Sequence, residues 1–145
     1  MAEFTPEVGE MFGRERAVPD ELWLEAFFTP SEKSQAAGRA FLERIRARKE
    51  DRDPPISEQV APAQLAAIAA WGVQRADAFA YLRGIAQPFL VINGSNDIII
   101  SSINSFHLQQ NLPNAKLILY RDGNHGSQYQ YPREFLRDVS AFLAG

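Results

Sequence analysis

The chain has 145 residues, 46% of them hydrophobic and 23% charged, with a formal net charge of −3. One domain with a sizeable core fits that length, and the slightly acidic balance leaves no electrostatic footprint for nucleic acid or an anionic membrane surface. There is no cysteine, which excludes disulfides, thiolate metal sites and cysteine nucleophiles.

Residues 1–20 are broken by Pro6, Gly9, Gly13 and Pro19 and read as an arm, ordered only if something packs on it. The start Met1-Ala2-Glu3-Phe4-Thr5 lacks the basic and apolar segments of a signal peptide. No apolar run approaches the length of a membrane span, so the expectation is a soluble, cytoplasmic protein. Leu22 to Phe28 is apolar and short, and periodicity leaves a helical turn and a strand both open. A helix follows from Ser31, a good N-cap, with Ala37, Phe41 and Ile45 repeating along one stripe. Arg44, Arg46, Arg48 and Lys49 crowd its C-terminal end, and the run Glu50 to Pro55 stops it. A phosphate or nucleic-acid site is one reading of that cluster; a solvated helix end neutralised by neighbouring acids is the favoured one.

Pro62 begins a helix that runs to about Trp71, with Gly72 as its stop. Residues 78–85 add a helical turn before Pro88 opens a strand over 89–93. A helix over about 102–112, a strand over 116–120 and a helix over 133–143 complete the order, the last presenting Phe135, Leu136, Val139, Phe142 and Leu143 on one face. Alternating strands and helices imply a parallel α/β layer. The chain reads as one domain, mainly helical over 1–72 and α/β over 73–145. Two parallel strands are too few to cover their own edges. Unless residues 22–28 supply a third, the expectation is a homodimer in which two copies join at a sheet edge into one four-stranded sheet.

The chemistry lies in the last third. Residues 89–97 read Phe-Leu-Val-Ile-Asn-Gly-Ser-Asn-Asp, and residues 117–126 read Leu-Ile-Leu-Tyr-Arg-Asp-Gly-Asn-His-Gly. Each is an apolar run, a glycine turn and then a functional group, and Asp97 and His125 stand 28 residues apart, as 125 − 97 gives. That spacing is about one strand–helix–strand unit, so both groups leave the sheet at the same edge, where open α/β sheets bind ligands. Acid before histidine is also the order of a Ser–Asp–His hydrolase. No Gly-x-Ser-x-Gly elbow occurs in the sequence.

On these residues the stretch 82–145 resembles the α/β-hydrolase superfamily: Leu82–Ile85, Pro88 to Asp97, Leu112-Pro113-Asn114-Ala115, Asp122 to Gly126 and the closing Phe135…Phe142-Leu143. Residues 22–72 look like the helical cap that some members insert, with Phe27-Phe28, Ser31, Ser34-Gln35, Arg39, Arg44, Arg48, Asp51-Arg52-Asp53 and Trp71-Gly72 in similar order. The resemblance implies a small or truncated α/β-hydrolase-like fold with Asp97 as the acid and His125 as the base. The strands that carry the oxyanion loop and nucleophile elbow in that family have no counterpart here.

Taken alone, Asp97 reads as a helix cap and His125 as an exposed loop residue. Taken together, they read as a pair in which Asp97 orients the imidazole and His125 acts as general base. His107 lies mid-helix and reads as packing or surface. For the nucleophile, Ser102 stands at a helix start beside free backbone N–H groups that suit an oxyanion site, and capping explains it equally well. Ser95, Ser101, Ser105 and Ser127, a partner subunit's serine, and water activated by His125 are the other options. Ile98-Ile99-Ile100 reads as core or, where exposed, as the lining of an apolar pocket beside His125 with Tyr129 and Tyr131. Two histidines without a His-x-x-x-His spacing make a poor metal set, and no cofactor is expected. The expected function is hydrolysis of small carboxylic esters. The rival is a non-catalytic remnant that binds a ligand or a partner supplying the missing strands.

Overall fold

The computed structural model describes residues 5–54, 57–73 and 75–145. Residues 1–4 of the expected arm and Pro55 of the proline stop lie outside the described residues. Elements follow in the order α1 (Pro6–Gly13), α2 (Pro19–Phe27), α3 (Glu32–Ala47), α4 (Val60–Gly72), a 3₁₀ turn (Ala80–Gly84), β1 (Phe89–Gly94), α5 (Ser102–Asn111), β2 (Ala115–Tyr120), α6 (Ser127–Gln130) and α7 (Pro132–Leu143).

Residues 6–27 form two helices, each with a proline in its first turn where the missing N–H costs nothing. Val8 and Met11, three apart on α1, pack on Ala26 of α2, with Leu22, Phe27 and Ile99 around them. Phe28 ends α2 and makes a single antiparallel bridge to Gly123, so residues 22–28 supply no third strand. Ser31 caps α3 by accepting from the Ser34 N–H at 3.1 Å. Phe41 and Leu42 of α3 bury against Phe28. At the basic end of α3, Arg46 pairs with Asp20, Arg48 bonds the Glu50 carbonyl, and Arg44 lies over the Phe41 ring. Among the described residues the one carboxylate paired there, Asp20, comes from α2 and not from the acids of the following run.

β1 and β2 pair in parallel from Phe89↔Ala115 to Gly94↔Tyr120, and they form the only sheet among the described residues. Helix α5 crosses between them and packs on both strands. The architecture is thus mixed α/β, with a two-stranded parallel sheet among the described residues. Two apolar clusters among the described residues both involve the helical N-terminal part. Helix α7 has the amphipathic pattern read from the sequence, but none of its residues is buried. Leu136 is 63% and Leu143 76% exposed. A two-stranded sheet offers too little surface to cover such a face.

The register fixes where the two following loops meet. Gly94 lies opposite Tyr120, and a Cβ at Gly94 would collide with the backbone of Gly123 and Asn124. Replacing Gly94 with Ala therefore forces backbone apart, and thermal unfolding is expected to show a loss of about 3 kcal/mol, the upper range for overpacking. Gly84→Ala, where a Cβ meets nothing within 4 Å, is expected to unfold like the unaltered protein.

Candidate active site

Asp97 and His125 meet. Nδ1 of His125 lies 3.0 Å from Oδ2 of Asp97, with the carboxylate side chain 2% and the imidazole 35% exposed. The other carboxylate oxygen, Oδ1, accepts from the N–H groups of Ile99 and Ile100, both at 2.8 Å. Asp97 therefore closes a turn and holds the imidazole at once, one oxygen for each; it does not cap the next helix, which begins at Ser102 with Ser101 as its N-cap. With Asp97 ionised, Nδ1 carries the shared proton and Nε2 keeps its lone pair.

Two backbone bonds draw the loops together: the Ser95 N–H donates to the Tyr120 carbonyl at 2.9 Å and the Asn96 N–H to that of Gly123 at 2.8 Å. Behind them Asn93 donates to the Ile100 carbonyl and to Ser105 Oγ. The helical N-terminal part closes on the histidine loop from the other side. The Gly126 N–H donates to the Phe27 carbonyl at 2.9 Å, and the Phe27 and His125 rings lie 5.4 Å apart. Asp122, with φ of +55°, accepts from Thr29 Oγ1 and Ser31 Oγ, both at 2.6 Å. Ser34 Oγ donates to Gln130, whose amide donates to the Asp122 carbonyl. No buried side-chain nitrogen or oxygen lacks a partner among the described residues.

Two recesses flank the pair. A small apolar one of about 210 Å³ is lined by Phe12, Leu22, Trp23, Ala26, Phe27 and Ile99 with His125. Ile99 is the member of the isoleucine run that reaches it. Tyr129 instead stacks on Phe41, and Tyr131 lies against Tyr120. A larger, open cleft of about 1230 Å³ carries Asp97 on its wall, with Ser95, Ser101, Ser102 and Asp122. Ser102 is the first residue of α5, and no hydrogen bond joins it to His125. Ser95 Oγ is occupied by the Asp122 N–H and by Asn96. Ser105 and Ser127 are buried. His107 packs between Phe79 and Phe106. Among the described residues no cluster of three or more His, Asp or Glu side chains is placed to hold a metal, and no helix is long and apolar enough to cross a membrane.

Sequence reasoning missed Asp122 and Asn124 as members of the site. The available cue was the pair of glycines around Asn124-His125, which lets backbones approach so closely that a polar side chain between them must find partners.

The hydroxyls of Ser31, first, and Thr29 hold the Asp122 carboxyl below its ordinary value of 3.8. A depressed folded value stabilises the fold above the unfolded one, and that contribution disappears as pH falls through the folded value. Urea midpoints are expected to drop as pH is lowered below 3.8, and to drop less in Asp122→Asn, which carries no titrating group there.

No family model matches the chain. By sequence, 72 of its residues are 36% identical to a pimeloyl-[acyl-carrier protein] methyl ester esterase of Nitrosomonas europaea, covering 50% of this chain and 27% of that protein. A further 37% identity over 71 residues links it to a protein of Pseudomonas savastanoi described as a carbamate hydrolase, RutD, covering 49% of this chain and 27% of that one. In structure, it superposes on an alpha/beta hydrolase fold protein from Chitinophaga pinensis with a TM-score of 0.83 at 39% identity, covering 94% of this chain and 48% of the other. The chain thus spans about a quarter of the length of these curated relatives and about half of that solved structure. The likeness to α/β hydrolases read from the sequence holds in both comparisons.

Proposed function

We propose, from its α/β-hydrolase architecture, that this chain contributes the acid and base of a hydrolase acting on small carboxylic esters. The observation that carries the reading is the 3.0 Å contact between His125 Nδ1 and a buried Asp97 oxygen at the shared end of two parallel strands. His125 Nε2 takes the proton of the attacking hydroxyl as the carbonyl carbon is attacked. It returns that proton to the departing alkoxide, while Asp97 stabilises the intervening imidazolium. Ser102 is our candidate nucleophile within the chain, on its place in the cleft beside Asp97; water delivered to Nε2 is the alternative. The recess beside His125 suits a short apolar acyl or alkyl group, and a relative named as a methyl ester esterase agrees with that choice.

Hydrolysis of a short p-nitrophenyl ester is expected to fall by about 10²-fold or more in His125→Ala, the usual contribution of a positioned base, with far-UV circular dichroism unchanged. Equal rates would contradict the reading. Ser102→Ala is expected to match that loss if Ser102 is the nucleophile and to retain activity if water is.

The rival reading, a non-catalytic module that binds a ligand or a partner, draws on the lack of any serine bonded to His125 among the described residues. The open face of α7 and the short sheet bear on partners in either reading. We place a second copy of the chain at the sheet edge, because an unpaired apolar edge is most simply satisfied by its own kind. Sedimentation velocity is expected to give a dimer; a lone 16.3 kDa species would remove the second copy from the account.

A further inference from the structure

Asn124 is the most fully engaged side chain at the site and stands between the acid loop, the base loop and the cap. It is 3% exposed. Its Oδ1 accepts from the N–H of Ile98 at 3.0 Å and from that of His125 at 2.9 Å. Its Nδ2 donates to the carbonyls of Glu25 at 3.2 Å and Phe28 at 3.3 Å. An amide side chain has two acceptor sites and two N–H groups, so nothing is left over for a substrate.

The bonds close a ring. Ile98 directly follows the acid, and Asn124 joins its N–H to that of His125. The imidazole then reaches Asp97 Oδ2, while Asp97 Oδ1 is fixed by Ile99 and Ile100. We infer that Asn124 is the positioning residue that sets the geometry in which His125 meets Asp97 and ties that geometry to helix α2; this rests on the pair being the working acid and base proposed above. The Gly94–Gly123 contact brings the stems of the two loops together but makes no bond to the N–H of Ile98 or His125. A shared acceptor fixes both groups with one side chain. Its removal leaves two N–H groups and two carbonyls without their partner, and the loops are then free to drift.

Two variants separate positioning from mere stabilisation. Asn124→Ala loses all four bonds. Asn124→Asp keeps acceptors for Ile98 and His125, loses the bonds to the Glu25 and Phe28 carbonyls and turns a carboxyl oxygen toward them. The readout is the imidazole tautomer in a long-range ¹H–¹⁵N spectrum of the full-length labelled chain at mildly alkaline pH, legible because there are only two histidines. In the unaltered protein His125 is expected to carry its proton on Nδ1, and Asp97→Asn is expected to abolish that preference. If these two proteins give the same spectrum, the Asp97–His125 pair itself fails, separately from any role of Asn124.

Given the pair, Asn124→Ala is expected to lose the Nδ1–H preference and to exchange that proton about tenfold faster, as loss of its positioning bonds would give. Asn124→Asp is expected to keep the preference. A purely stabilising role would lower the melting temperature of both variants and leave the tautomer in the folded protein untouched. A folded Asn124→Ala with the unaltered tautomer overturns the inference, and so does an Asn124→Asp that loses it as Asp97→Asn does. If Asn124→Ala does not fold, Asn124→Leu, of similar volume and with no acceptor for the two N–H groups, takes its place: loss of the Nδ1–H preference supports the inference and an unaltered tautomer overturns it.

Discussion

The site depends on one backbone approach, that of Gly94 to the Gly123–Asn124 peptide. Parallel pairing brings the ends of β1 and β2 level, and the absence of a side chain at Gly94 lets the next loop lie directly on its neighbour. From that contact the rest follows over a few residues of chain. The Ser95 and Asn96 N–H groups find carbonyls on the β2 side, Asp97 arrives three residues beyond Gly94, and His125 arrives two residues beyond Gly123. An acid with its side chain almost wholly buried is tolerable there because three donors converge on its two oxygens.

The helical N-terminal part is the second half of that solution. It contributes to the two main apolar clusters, and it satisfies the polar groups of the histidine loop. Thr29 and Ser31 answer the Asp122 carboxylate, Ser34 reaches Gln130, and the carbonyls of Glu25 and Phe28 take the Asn124 amide. Half-satisfied, such a network would cost more than an apolar contact; complete, it specifies one arrangement of the loop and the helices beside it. The sheet side contrasts with this. Helix α7 leaves Leu136 and Leu143 exposed, and the chain covers about half of the solved relative from Chitinophaga pinensis. The acid–base corner is held by bonds among its loops and to the helical N-terminal part, whereas the sheet behind it has two strands among the described residues.

Much of this was legible in the sequence because it rests on local periodicity. The strands after Pro88 and Asn114, the capped helix from Ser31 and the crossover helix at 102 are each patterned within a dozen residues. The pairing of Asp97 with His125 was legible from their spacing and order, since one strand–helix–strand unit returns the chain to the same edge. Helices α1 and α2 were not, because Val8 and Met11 find their burial partly against Ile99, some ninety residues away. The amphipathic stripe of α7 was read correctly as a pattern, but Leu136 and Leu143 stay exposed on it. Asn124 was hidden for a different reason. A polar residue in a glycine-flanked loop looks like solvent-facing turn chemistry until tertiary structure supplies four partners for it.

Whether the pair works as one unit is tested most directly by a double-mutant cycle in ester hydrolysis on Asp97→Asn and His125→Ala. If Asp97 acts only through the imidazole, the double variant is expected to be no slower than His125→Ala alone, a strongly non-additive cycle. A double variant slower by the product of the two single losses would show the residues acting independently and would contradict the account.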